Sequence, residues 1–159
     1  MKKYWEFKNL TDETAELYIY SEIGEDFWGE SISATGFKEE LDNLGNVSNL
    51  NIYINSPGGS VFDGLAIHNM LKRHKAYKKV FVDGLAASIT SVIALAGDEV
   101  IIPENAFFMI HMPLAPAYGN AKNLREMAET LDKISEGIIN IYMEKTTLSR
   151  EEIVNMMDA

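Results

Sequence analysis

The sequence contains no cysteine, which excludes disulfides, thiolate metal sites and a thiol nucleophile. Histidine is scarce too: His68, His74 and His111 are the three, Asp63 and His68 stand five apart, and no H-E-x-x-H pattern occurs, so no metal site is expected. Cations are outnumbered. Against 24 Asp and Glu there are 14 Lys and Arg, a formal charge of −10, and a nucleic-acid binder needs clustered Lys and Arg to neutralise phosphates. The one basic run, LKRHKAYKK from Leu71 to Lys79, is short and reads as a solvated helix end whose cations suit the C-terminal dipole. No apolar run reaches the roughly 20 residues of a membrane span. The longest is broken by Asp98 and Glu99, and the first residues lack the apolar stretch of a signal peptide. A soluble, intracellular protein is expected. With 4 prolines, no Pro/Gly/Ser linker and no repeat, residues 1–159 read as a single domain.

What is present is an apolar content of 47% in 159 residues, enough for one sizeable core. YWEF and Ala15–Gly24 carry near-alternating aromatic and β-branched residues, as strands do. Thr35 is placed to cap a helix in which Phe37, Leu41 and Leu44 recur, ending at Gly45. Strand 49–56 then runs into Pro57, Gly58 and Gly59, followed by a helix over 61–74. The unit repeats as strand 79–84 and helix 86–97. Short strands follow within 99–111, separated by a turn at 103–105. Leu124, Met127, Ala128, Leu131, Ile134, Ile138 and Ile141 step by three or four residues along a long amphipathic helix, a stripe suited to a core or to subunit contact. SREE, Ser149–Glu152, is a capping box opening a last helix. Alternation of this kind predicts an α/β fold with strand ends beside helix N-termini.

Those junctions are where chemistry is expected, because a helix N-terminus presents unpaired N–H groups and partial positive charge to a developing oxyanion. At the first, the glycines let a ligand approach the backbone. At the second, small residues lead to Ser88, which is either a nucleophile assisted by the N–H of Ile89 or a simple helix cap; spacing leaves both open. As bases, His68 and His74 sit in an ordinary helical context, whereas His111 stands where a strand gives way to a loop. The phosphate-loop, dinucleotide and G-x-S-x-G patterns are all absent.

Taken together, YINSPGG (Tyr53–Gly59), GLAASITS (Gly84–Ser91) and MIHMP (Met109–Pro113), in this order and at these separations, resemble the Clp protease proteolytic subunit family. The resemblance runs from about Tyr18 to the chain end. Ser21–Leu44 looks more like the Clp-related prophage proteases that process capsid or scaffold proteins in phage head maturation. It implies a crotonase-like spiral of strand–helix units, with the long helix over 124–143 as a protruding handle. It also implies Ser88 as nucleophile, His111 as base, the N–H groups of Gly59 and Ile89 as oxyanion donors, and substrate contacts at Gly58, Ser60, Pro113 and Leu114.

The family's acid, aligned from His111, falls just past Ala159. Asp158 is the nearest carboxylate within the chain: either it stands in for that acid, or the chain lacks its natural C-terminal segment. Ala115 and Pro116 stand where the family has glycines that pair with substrate. Further implications are a peptide or protein substrate, homo-oligomeric rings, typically heptameric and stacked, no cofactor, and the cytoplasm of a bacterial host. A ring ATPase partners relatives, but no docking surface for one is legible. The alternatives are a catalytically impaired, ring-forming scaffold component and a crotonase-type acyl-CoA enzyme.

Overall fold

Every second residue of Thr14–Ile19 (β2) is buried, and Leu50, Ile52, Ile54 and Ser56 repeat that alternation along Asn49–Ser56 (β3), as strands with one face on a core require. The computed structural model describes residues 5–11, 13–24 and 34–159. The chain divides into two compact units, Met1–Met109 and Ile110–Ala159. Residues 25–33, which carry part of the stretch likened to prophage proteases, lie outside the described residues.

The first unit adds Glu6–Asn9 (β1), Ala34–Asn43 (α1), Val61–Arg73 (α2), Tyr77–Ala87 (β4), Ile89–Ala94 (α3), Glu99–Ile101 (β5) and Phe107–Met109 (β6). The sheet order is β1-β2-β3-β4-β5, with β6 also on β4; β1 and β2 are antiparallel and every other pair is parallel. This is the expected α/β architecture. Leu17, Ile19, Leu50, Ile52, Ile54, Val80 and Val82 are buried in the sheet, and α2 and α3 contribute Ile67, Leu71, Val92 and Ile93. Each such side chain stabilises the fold by about 1.5–3 kcal/mol. His68 is a packed histidine, its Nδ1 2.8 Å from the Val92 carbonyl. At the turn from α2 into β4, the ammonium of Lys78, 5% exposed, donates to the carbonyls of His74 and Ala76 and pairs with Asp98 at 3.1 Å.

Register along β3 and β4 is not uniform. Asn49 faces Tyr77 and Ile54 faces Val82, but beyond an irregularity Ser56 faces Ala86. Past it, β4 continues to Ala87 because β6 pairs with Leu85–Ala87, so α3 is shorter than the helix over 86–97 that the sequence predicts. Two other expectations are corrected. Thr35 lies within α1 rather than capping it. β6 is apolar in sequence yet largely outward-facing, with Phe107 72% and Met109 45% exposed, and it ends two residues before His111.

In the second unit, Ala121–Lys145 (α4) is capped reciprocally by Asn120 and Asn123, and Arg150–Asp158 (α5) by the predicted Ser149–Glu152 box. The backbone N–H of Ser149, with help from its hydroxyl, holds the Glu152 carboxyl below the usual carboxylate range. Ile138, Ile139 and Tyr142 of α4 are buried, as are Ile153 and Met157 of α5. Nearer the start of α4 the apolar stripe is less covered: Leu124 is exposed and Met127, Leu131 and Ile134 are half-buried. Among the described residues no helix is long and apolar enough to cross a membrane.

Candidate functional site

The passage from β4 to α3 is made in one residue, and that residue is Ser88. Ala86 and Ala87 pair with Phe108 and Met109 of β6, the Ser88 N–H donates to the Met109 carbonyl at 2.9 Å, and Ile89 is already helical. An ordinary cap would make this passage with extended dihedrals. Ser88 has φ 56° and ψ −131°, and it is the one non-glycine residue with positive φ among the described residues. Such a conformation costs about 1–3 kcal/mol.

The two alternatives left open for Ser88 can now be compared with true caps. Ser60 and Ser149 precede α2 and α5 with φ −60° and −71°, and their hydroxyls accept from the backbone N–H groups of Asp63 and Glu152. Ser88 occupies the N-cap position but makes no capping bond with its side chain. Its half-buried side chain lies beside the glycine loop. A Cβ on Gly58, whose φ is +102°, would stand 2.5 Å from Ser88 Cβ and 3.1 Å from its Oγ, so the lack of a side chain at Gly58 is what admits the serine.

The loop is itself held by backbone bonds. Ile23 N–H donates to the Gly58 carbonyl at 2.7 Å, and the Ser60 N–H donates to the Ile23 carbonyl at 2.8 Å, a parallel bridge opposite Gly59. In that pattern the N–H of Gly59 points away from Ile23. A Cβ on Gly59 would lie 2.1 Å from the Ile23 carbonyl oxygen, so this approach also demands glycine. Ser60 caps α2, Gly64 of α2 lies against Ile89, and α3 offers its first-turn N–H groups beginning at Ile89. The first unit therefore brings together Gly58, Gly59, Ser60, Ser88 and Ile89.

Beneath them lies a buried hydroxyl pair that sequence reading did not single out. Ser56 Oγ donates to the Ser21 carbonyl at 2.7 Å and accepts from the Gly58 N–H at 3.2 Å and the Thr90 hydroxyl at 2.9 Å. The signal was there: Ser56 holds an inward register position after three aliphatic residues.

The second unit holds the other predicted residues. His111 and Pro113 are half-buried and Leu114 is exposed, all in the segment without regular secondary structure before α4. The Met112 N–H donates to the Met157 carbonyl at 3.0 Å, which ties the residue after His111 to the end of α5. Asp158, the next residue along, is exposed.

Comparison with known proteins gives the family of the chain. A family model described as Clp protease matches residues 7–159. An ATP-dependent Clp protease proteolytic subunit of Deinococcus radiodurans is 33% identical over 121 residues, covering 74% of this chain and 59% of that protein. One from Bacteroides fragilis is 30% identical over 116 residues, covering 71% of this chain and 56% of that protein. The chain thus spans a little under three fifths of the length of these curated relatives, and by the match over nearly its whole length it belongs to the Clp protease family.

Proposed function

We propose that the chain is the catalytic part of a serine endopeptidase. The observation that carries this reading is Ser88: a backbone conformation that costs energy, at a strand–helix junction, on a serine whose hydroxyl does not cap the helix it precedes. Ser88 Oγ attacks the peptide carbonyl while His111 takes its proton. The N–H groups of Gly59 and Ile89 stabilise the tetrahedral oxyanion. As the C–N bond breaks, His111 protonates the leaving amine, and an acyl-serine remains. Water, deprotonated by His111, then attacks the ester, and the carboxylic acid leaves with Ser88 restored. Asp158 is assigned the orienting acid; the bond between Met112 and Met157 supports it by holding the preceding residue beside the His111 segment. Loss of that acid function is expected to cost on the order of 10⁴ in rate by the serine-protease precedent.

The substrate is an extended peptide, with contacts assigned to Gly58 and Ser60 in the first unit and to Pro113 and Leu114 in the second. Pro116 has no N–H to donate, so pairing along this stretch is short. The incompletely covered stripe of α4 and the outward Phe107 and Met109 support self-association into rings of such subunits. Processing of phage capsid or scaffold proteins in a bacterial cytoplasm is the role suggested by the Ser21–Leu44 stretch. The test is labelling with a fluorophosphonate: wild type is expected to be modified at Ser88, Ser88→Ala to be inert and His111→Ala to be severely slowed. Equal labelling of wild type and Ser88→Ala, or none of wild type, would overturn the assignment.

A further inference from the structure

We infer that Ser56 and Thr90 are positioning residues that fix the separation of the two oxyanion donors; the inference rests on the acyl-serine reading above. Both side chains are fully buried, at 0% exposure, where a hydroxyl is unfavourable unless its bonds are made. Those of Ser56 are saturated. A serine hydroxyl has one proton and two lone pairs: the proton goes to the Ser21 carbonyl, and the lone pairs accept from the Gly58 N–H and from Thr90. The direction is thereby fixed, with Thr90 donating to Ser56 and Ser56 to Ser21.

Each of the three groups meeting at this oxygen belongs to a segment of the site. Ser21 lies two residues before Ile23, whose backbone brackets the glycine loop. Gly58 precedes Gly59, the first donor, and Thr90 follows Ile89, the second. One oxygen atom therefore links the residue beside each donor. Oxyanion stabilisation requires both N–H groups to lie about 2.7–3.1 Å from a single point, a tolerance within about 0.5 Å. Apolar packing alone does not fix separations so tightly at a glycine loop. A directional bond to each side does, and neither residue has to touch substrate.

The test compares Thr90→Val, nearly isosteric but without the hydroxyl, with Thr90→Ser, which keeps it. The maximal rate of fluorophosphonate labelling is expected to fall about tenfold to a hundredfold in Thr90→Val, the loss typical of a misplaced reacting group. The half-saturating reagent concentration and the pH midpoint should be unchanged, because neither the binding surface nor the base is altered. Thr90→Ser should recover most of the rate. Labelling of Thr90→Val at the wild-type rate, or an equal loss in Thr90→Ser, would overturn the inference.

Amide resonances give a readout independent of chemistry. Those of Gly58, Gly59 and Ile89 should shift in Thr90→Val and stay near wild type in Thr90→Ser, and unmoved resonances in Thr90→Val would refute the positioning role even if wild type did not label. Absence of labelling in wild type together with shifted amides would instead place the failure in the nucleophile assignment. If Thr90→Val does not fold, Ser56→Ala, which deletes the shared oxygen with a smaller change of volume, is judged by the same two measurements.

Discussion

Replacing Ser88 by glycine should make the protein more stable than replacing it by alanine, although both changes abolish acylation. Alanine retains a Cβ and so retains the cost of φ 56° and ψ −131°, about 1–3 kcal/mol. Glycine is free of that cost but loses more conformational entropy on folding, about 0.5–1 kcal/mol. The difference favours glycine by about 0–2.5 kcal/mol, or about 1 kcal/mol at mid-range. Every contact of the hydroxyl is lost in both variants, so it cancels from the comparison. For a chain of 159 residues, at about 2–4 °C per kcal/mol, the glycine variant should melt about 2–4 °C above the alanine variant at mid-range and at most about 10 °C above it. Scanning calorimetry at a common protein concentration measures it. If Ser88→Gly melts below Ser88→Ala, the strain at Ser88 is smaller than the entropy cost of glycine, and the observation on which the nucleophile assignment rests is removed.

Gly58→Ala should destabilise the protein. Its Cβ would stand 2.5 Å from Ser88 Cβ at a φ of +102°, so conformational strain of about 1–3 kcal/mol adds to overpacking of about 1–3 kcal/mol. Gly45→Ala, with φ +70° and no atom within 4 Å of its Cβ, isolates the conformational cost alone. Denaturant midpoints should therefore rank wild type above Gly45→Ala and Gly45→Ala above Gly58→Ala, and equal midpoints for the two variants would contradict the crowding at Ser88. His74 supplies a pH dependence. Burial, reinforced by the Lys78 ammonium, holds its pKa below 6.5 in the folded chain, while its Nδ1 accepts from the Ala76 N–H at 3.2 Å. Below pH 6.5 the unfolded chain takes up a proton that the folded chain resists, so this contribution is full above 6.5 and is lost as pH falls toward the folded value. His74→Asn, which keeps an acceptor but does not titrate, should lose less melting temperature between pH 7.5 and 5.5 than wild type; parallel curves would show that His74 is not responsible.

Much of this was legible because it is written locally. Gly58, Gly59 and Ser88 announce themselves as small residues between a strand and a helix, and the box at Ser149 lies within four residues of sequence. What was missed depends on partners distant in the chain. Ala86 and Ala87 have helical propensity, but pairing with Phe108 and Met109 draws them into β4. Phe107 and Met109 look like core until the sheet places β6 beside β4 with their side chains outward. Thr90 is one more residue of a short helix until β3 presents Ser56 to it, 34 positions earlier.

The irregular pairing of β3 with β4 has a consequence in counting. Before it, partners differ by 28 positions, Ile54 with Val82; after it they differ by 30, Ser56 with Ala86. The offset is therefore two residues, an even number, and side-chain direction in a strand alternates with period two. Ile54 and Ser56 remain inward, and so do Val82 and Ala86. Had β4 gained one residue, every position beyond Asp83 would have exchanged faces, turning the serine at its end with them. Parity conserves the orientation of the site while length is free to change, so lineages that lengthen or shorten this strand should do so in pairs of residues.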